Sequence, residues 1–346
     1  MTEMNFEKYY DKGNTGLINL GNTCFLNACV QALSHTYELT EILDSPKIQN
    51  LLKKDIVDYV MFVEWNDLRK VMWSQNSTVS PNKFVHNVQH IAKEKQRDIF
   101  TGWTQNDMPE FLMFIIECIH NSISRSVNIK IAGSPENNVD QLAIKCYQMI
   151  KTEYFREYSE IMELFYGIQV TEILSLNKKK SLSVRPENFF ILNLPILDRP
   201  CTLYDCLDSY IHPEFLSDEN SWQNDVSGKR ENVYRRTLFW SFPKILIITL
   251  KRFSSDGSTK IEELVDFPIN ELNLSKYTNG YNALQNIYEL YAVCNHYGNV
   301  YMGHYTTYVK NAKGEWMHFN DEHIEQIETI SHIVSPTAYC LFYRKK

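Results

Sequence analysis

Residues 16–33, Gly-Leu-Ile-Asn-Leu-Gly-Asn-Thr-Cys-Phe-Leu-Asn-Ala-Cys-Val-Gln-Ala-Leu, join a glycine-containing loop to an amphipathic helical pattern. Apolar spacing at Phe25, Cys29, Val30 and Leu33 marks the helix, and Asn22 or Thr23 supplies its N-cap. Cys24 then falls in the first turn. Unpaired N–H groups and the dipole at a helix N-terminus stabilise a thiolate, which makes a thiol nucleophilic near neutral pH. Asn19, five residues upstream, is placed to turn its amide back beside the Cys24 backbone N–H and jointly hold an oxyanion. Gly21 lets the chain bend there. A cysteine at a helix start is also commonly a small core residue, so a second feature must decide.

That feature lies near the other end of the chain. Gly303 to Val309 form a β-type run, Asn311-Ala312-Lys313-Gly314 is a turn signal, and Glu315 to Asp321 form a second run. A hairpin centred near Ala312 sets His304 opposite Asn320, and a one-residue shift brings Asp321 there instead. Either side chain can fix the imidazole tautomer so that the other ring nitrogen faces a thiol. Among the ten histidines, His318, His323 and His332 read as surface or core groups, and His296 stays open between a structural and an active-site role.

Between these two stretches the character changes once. From Gly21 to about Tyr166 the pattern is helical, with windows of the type Val60/Val63/Val71 and Phe111/Leu112/Ile115/Ile116/Ile119. Residues 122–138 read as a long surface loop. After Phe165 short alternating or β-branched runs take over: 168–176, 189–194, 244–250, 288–294, 301–309, 315–319 and 339–343. The polar stretch 217–232 interrupts them and is expected to protrude. Helices first and mostly antiparallel strands afterwards define an α+β fold with the active site between two layers.

The composition agrees with a folded protein: 346 residues, 44% hydrophobic and 22% charged. A formal net charge of −7 argues against wrapping nucleic acid and favours a basic partner. Eight cysteines are too sparse for a disulfide scaffold, and residues 1–15 carry no apolar signal-peptide core. Reduced thiols and an intracellular setting, cytoplasmic or nuclear, are expected. The strongest apolar runs, 111–116 and 245–250, fall well short of the about 20 residues that span a bilayer, so no membrane segment is expected.

Taken together the motifs resemble the ubiquitin-specific protease family of cysteine deubiquitinases. Gly16-Leu17-x-Asn19-x-Gly21-Asn22-Thr23-Cys24-Phe25-x-Asn27 with Gln31 is similar to its cysteine box. Tyr288-x-Leu290-x-Ala292-Val293, His296-x-Gly298, Gly303-His304-Tyr305-x-x-Tyr308 and Trp316-x-x-Phe319-Asn320-Asp321 are similar to its histidine box. Gln105-Asn106-Asp107-Met108-Pro109-Glu110-Phe111, Leu250-Lys251-Arg252-Phe253 and Ala338-Tyr339-x-Leu341-Phe342-Tyr343 resemble three further family segments.

The resemblance implies a papain-like cysteine protease fold, with a helical thumb at about 16–165, fingers within about 168–240, and a palm at about 241–346 plus adjoining strands. It implies one catalytic domain, 16–346, preceded by an arm or tail, 1–15. Cys24 is then the nucleophile, His304 the general base and acid, Asn320 its orienting residue, and Asn19 the oxyanion donor, with Asp321 assisting or substituting. Asp107 and Glu110 would meet the arginines of a basic ubiquitin tail, Gly303 and Tyr305 would line a tunnel that admits only glycines, and Gln105 belongs to the same substrate-binding set. The implied partners are ubiquitin and ubiquitinated proteins, without nucleic acid or membrane, and the protein is expected to be a monomer needing no cofactor. No Cys-x-x-Cys pair is present, so the fingers are expected to lack the zinc of many relatives, and Cys201 and Cys206 read as packing groups. Asn106 and Met108 depart from the family pattern. Two alternatives follow: a ubiquitin-binding scaffold weak in catalysis, and the same chemistry on a ubiquitin-like modifier. A metal hydrolase built on His304, His318 and His323 lacks ligand spacing.

Overall fold

The cysteine-bearing segment forms helix α1 (Cys24–Ser34), and every one of its residues is buried. The expected amphipathic helix is therefore corrected: its polar face is also inside, because Gln31 and Asn27 reach backbone carbonyls. Gln31 Nε2 donates to Thr15 O at 2.8 Å and Asn27 Nδ2 to Leu17 O at 3.2 Å. Buried amides satisfied in this way cost little and fix the entering loop.

The computed structural model describes residues 5–225, 227–254, 258–299 and 302–346. Residues 1–4 of the expected arm, Val226 of the polar stretch and Tyr301 at the head of one expected strand lie outside the described residues. The helical layer continues through α2 (Tyr37–Asp44), α3 (Pro46–Gln49), α4 (Asp58–Ser74), α5 (Asn82–Glu94), α6 (Met108–Ile123), α7 (Asn138–Glu157) and α8 (Glu160–Phe165). On α4 the buried stripe is Met61, Trp65, Leu68 and Met72, whereas Val71 is half exposed. The Val60/Val63/Val71 spacing is thus corrected: the larger Trp and Met side chains at the same period take the core face. The chain between α6 and α7 is a loop, as expected.

Two sheets follow. The smaller has the order Ser181–Phe189, Gly167–Leu174, Val233–Ser241, Glu214–Leu216. The larger runs His323–Ile327, Trp316–Asn320, Gly303–Lys310, Ile287–Gly298, Ala338–Lys345, Ile245–Lys251, Ile191–Pro195, with Leu272–Asn273 added beside Ile287–Gly298. Within the larger sheet pairing is antiparallel except between Ile191–Pro195 and Ile245–Lys251. A ninth helix, α9 (Leu203–Ile211), lies within the strand half. It was not expected, although Thr202 and Asp205 spell a capping box before it.

The larger sheet is covered on both faces. One core joins α1, α4, α5 and α6 to Ile247, Ala292, Phe319 and Phe342. The other packs Ile248, Leu250, Leu341 and Tyr343 against Leu203 and Leu207 of α9. Neighbouring residues of one strand point into opposite cores, which is why Ile245–Lys251 reads as a continuous apolar run.

Candidate active site

Cys24 is the first residue of α1 and is only 2% exposed. Thr23 is the N-cap, but its hydroxyl accepts from Leu20 N at 2.9 Å and leaves the helix N–H groups uncapped by a side chain. Asn19 shapes the same turn, with Oδ1 accepting from Gly21 N at 3.0 Å and Thr23 N at 3.2 Å. Gly21 and Asn22 both take positive φ, the backbone this tight entry needs.

The hairpin differs from the expected register. Its strands pair Thr307 with Phe319 and Lys310 with Trp316, which centres the loop on Lys313. Asn311 N donates to Glu315 O at 2.8 Å while Gly314 sits at φ 86°, so one extra loop residue is accommodated at a left-handed glycine. Asn320 is therefore diagonal to His304, on the same sheet face, and still reaches it: His304 Nε2 lies 2.7 Å from Asn320 Oδ1. An amide oxygen only accepts, so Nε2 carries the proton and Nδ1 is left for the thiol. Nearness of the imidazole to the Cys24 thiol is the main reason the His304 pKa is raised to about 9, against the opposing effect of burial.

Asp321 follows Asn320 at φ 52°, in the two-residue loop that joins Trp316–Asn320 to His323–Ile327. Its Oδ2 accepts from Asn19 Nδ2 at 2.9 Å, its Oδ1 from Asn27 Nδ2 at 2.8 Å, and its carbonyl from Leu17 N at 2.9 Å. It also lies 3.8 Å from His304 Nε2. Asn19 thus gives one amide hydrogen to Asp321 and keeps the other. Gly16 is obligatory beside this loop, because a Cβ there would sit 2.3 Å from Glu322 O.

A second set of contacts crosses from the loop entering α6 to the sheet. Gln105 Nε2 donates to Gly303 O at 2.6 Å and Gln105 Oε1 accepts from Gly303 N at 2.8 Å. Asp107 Oδ1 accepts from Tyr339 OH at 2.8 Å and Tyr305 OH at 3.3 Å. Burial outweighs these hydroxyls and pushes the Asp107 carboxyl up to about 6. Glu110 is exposed on the first turn of α6. A Cβ on Gly303 would lie 2.2 Å from His296 Nε2, so the glycine lets the strand lie on the His296 ring. Burial lowers the His296 pKa to about 4, and its ring packs 4.7 Å from that of Tyr305. His296 is consequently a neutral supporting group. His318 bonds Glu325 at 2.9 Å, and His323, though paired across from Asn320, has an exposed side chain.

The sequence reading assigned no role to Asn27 or Tyr339, although both lie in quoted motifs. Asn27 stands three residues after Cys24, on the same helix face, which was a usable signal. Tyr339 carries none, since only the sheet order brings it to Asp107.

A mostly antiparallel sheet with the α1–α6 helical layer on one face and α9 on the other is the α+β, papain-like arrangement. The chain belongs to the ubiquitin carboxyl-terminal hydrolase family, whose description, "Ubiquitin carboxyl-terminal hydrolase", matches residues 15–343. Among curated relatives, Ubiquitin carboxyl-terminal hydrolase 2 of Homo sapiens is 33% identical over 96% of this chain and 55% of its own length. Ubiquitin carboxyl-terminal hydrolase Usp2 of Drosophila melanogaster is 32% identical over 96% of this chain and 35% of its own. The chain therefore spans about half the length of the human relative, and about a third of the fly one. Two solved structures share the fold: the Ubp8-containing SAGA deubiquitinating module bound to monoubiquitin and the same module bound to ubiquitin aldehyde. Their TM-scores are 0.74 and 0.73 and their identities 23% and 24%, each covering 98% of this chain and 70% of that one.

Proposed function

We propose that this protein is a deubiquitinase that hydrolyses the peptide or isopeptide bond after the C-terminal glycine of ubiquitin. The observation that carries the reading is His304 held by Asn320 at 2.7 Å while the Cys24 thiol, from a helix start almost three hundred residues away, acts on its charge. Family membership and relatives named as ubiquitin carboxyl-terminal hydrolases support it.

In this reading the Cys24 sulfur attacks the carbonyl carbon and its proton resides on His304 Nδ1. The oxyanion is held by the remaining Asn19 N–H and the uncapped amides of the first turn of α1. His304 then protonates the lysine amine, and water, deprotonated by the same imidazole, releases the acyl group. Asn320 keeps the tautomer. Asp107 and Glu110 give the approach to Gly303 and Tyr305 a negative lining suited to a basic, extended tail. A tail passing beside Gly303, which Gln105 clamps through both its backbone groups, and Tyr305 would meet little room for side chains, which favours glycine.

A ubiquitin probe with a C-terminal electrophile tests the assignment. Wild type is expected to become covalently labelled, and Cys24→Ala is expected to remain unlabelled while still binding ubiquitin. Labelling of Cys24→Ala, or none of wild type, would refute it. Running the same reaction with probes made from ubiquitin-like modifiers tests the choice of modifier.

A further inference from the structure

Cys201 and Cys206 bracket the start of α9. Thr202 is the N-cap, with Asp205 N donating to Thr202 Oγ1 at 3.1 Å and Thr202 N to Asp205 Oδ2 at 2.8 Å. Cys201 is thus one residue before the cap and Cys206 is the fourth helical residue. These are the two places where apolar side chains ordinarily meet as a staple across a helix start. Here both are thiols. Their sulfurs are 3.7 Å apart, and the residues are 6% and 0% exposed. Cys201 is held by the short parallel pairing of Cys201 with Val265, and its N–H donates to Leu264 O at 3.2 Å.

A third group faces the pair. Arg252 is fully buried, with Nε donating to Ala338 O at 2.6 Å and Nη1 to Ile261 O and Glu263 O, both at 3.0 Å. Its Nη2 has no hydrogen-bond partner among the described residues. The guanidinium is near enough to both thiols for each to act on its charge. The cation opposes, without overcoming, the burial that disfavours a sulfur anion at Cys206, and mere packing of two touching sulfurs needs no charge beside it.

We propose that Cys201 and Cys206 are a redox-active dithiol that closes to an intramolecular disulfide when a hydrogen-peroxide-type oxidant reaches it. The sulfur of Cys201, the more accessible, attacks a peroxide oxygen; the O–O bond breaks, giving a sulfenic acid and one water. The Cys206 sulfur attacks that sulfur, the S–S bond forms, and the hydroxyl leaves with the Cys206 proton as a second water. The two sulfurs together lose two electrons and the peroxide gains them. The sulfurs must close from contact to about 2.05 Å, a movement within reach of side-chain rotation. Burial pushes the Cys206 thiol up to about 12, so the closing step speeds up as pH rises. The bond would lock the entry of α9, whose residues pack in the core behind the larger sheet. It is separate from Cys24 and does not depend on the proposed hydrolase activity.

The test uses the full chain. It is treated with hydrogen peroxide, denatured in an alkylating agent, digested and mapped by mass. The expected product is a peptide carrying unalkylated Cys201 and Cys206, lighter by two hydrogens, that becomes doubly alkylated after prior reduction. Its yield at fixed time should rise from pH 7 to pH 9, and it should form equally in Cys24→Ala. Both cysteines recovered alkylated at a peroxide dose that has already oxidised Cys24 in wild type would overturn the proposal. So would oxidation of either one without the crosslink.

Discussion

Asp321 holds the two halves of the site together with three hydrogen bonds, from Asn19, Asn27 and Leu17. Removing its carboxylate leaves two amide donors unpaired, each worth about 1–3 kcal/mol when buried. Asp321→Ala is therefore expected to lower both the melting temperature and turnover of a ubiquitin-derived fluorogenic substrate, while Asn320→Ala lowers turnover with a smaller change in melting. Replacing Asn19 should cost on the order of 10²-fold in turnover if its amide serves the oxyanion. Two ionisations give pH signatures. His304 is raised to about 9 chiefly by Cys24, so its contribution to stability is full below the ordinary value of 6.5 and is lost as pH rises through about 9. In Cys24→Ala the imidazole should titrate nearer 6.5, which NMR can follow. Asp107 is raised from 3.8 to about 6, so the folded state keeps a proton that the unfolded chain has lost. Stability from this group is full below 3.8 and falls through about 6, and Asp107→Asn should abolish that slope in urea titrations between pH 4 and 7. At this scale much was readable from sequence: the thiol, imidazole and amide types sit in motifs whose chemistry is explicit. What could not be read was that Asn19 shares its amide with Asp321, because that contact joins positions 302 apart.

The hairpin from Gly303 to Asn320 shows where spacing alone falls short. Its register depends on Gly314 in a left-handed conformation, a detail that moves the pairing centre by one residue while leaving His304 and Asn320 on one face. The residue pair was therefore foreseen through the wrong geometry. Gly314→Ala is expected to destabilise by about 1 kcal/mol from backbone strain alone, since the new methyl meets only the Lys310 Cε at 3.7 Å. Gly16→Ala is expected to be worse, because the obstacle is the carbonyl of Glu322, which lies against the site. Its melting temperature and turnover should fall together. Helix α9 was missed because its nine residues lie among strand signals, and only the Thr202/Asp205 pair announces it. Thr202→Ala should cost about 1 kcal/mol in chemical denaturation.

In the whole molecule, the larger sheet divides two cores, and the segment before the first helix is bound to the outside of one of them. Tyr9 is 8% exposed, stacks on Tyr37 at 4.3 Å and meets Trp73 at 5.4 Å. Tyr9→Ala is expected to cost about 3 kcal/mol by cavity formation while leaving turnover of the folded protein unchanged, as melting curves and steady-state rates together would show. The order of layers, helices before strands, was plain in the pattern of apolar residues. Which strand lies beside which was not, because pairing is decided by contacts distant along the chain. The strand Ala338–Lys345 sits in the middle of the larger sheet, between Ile287–Gly298 and Ile245–Lys251. A strand flanked on both sides commits its backbone groups to two neighbours at once, so loosening it would unzip the sheet from within instead of fraying a rim.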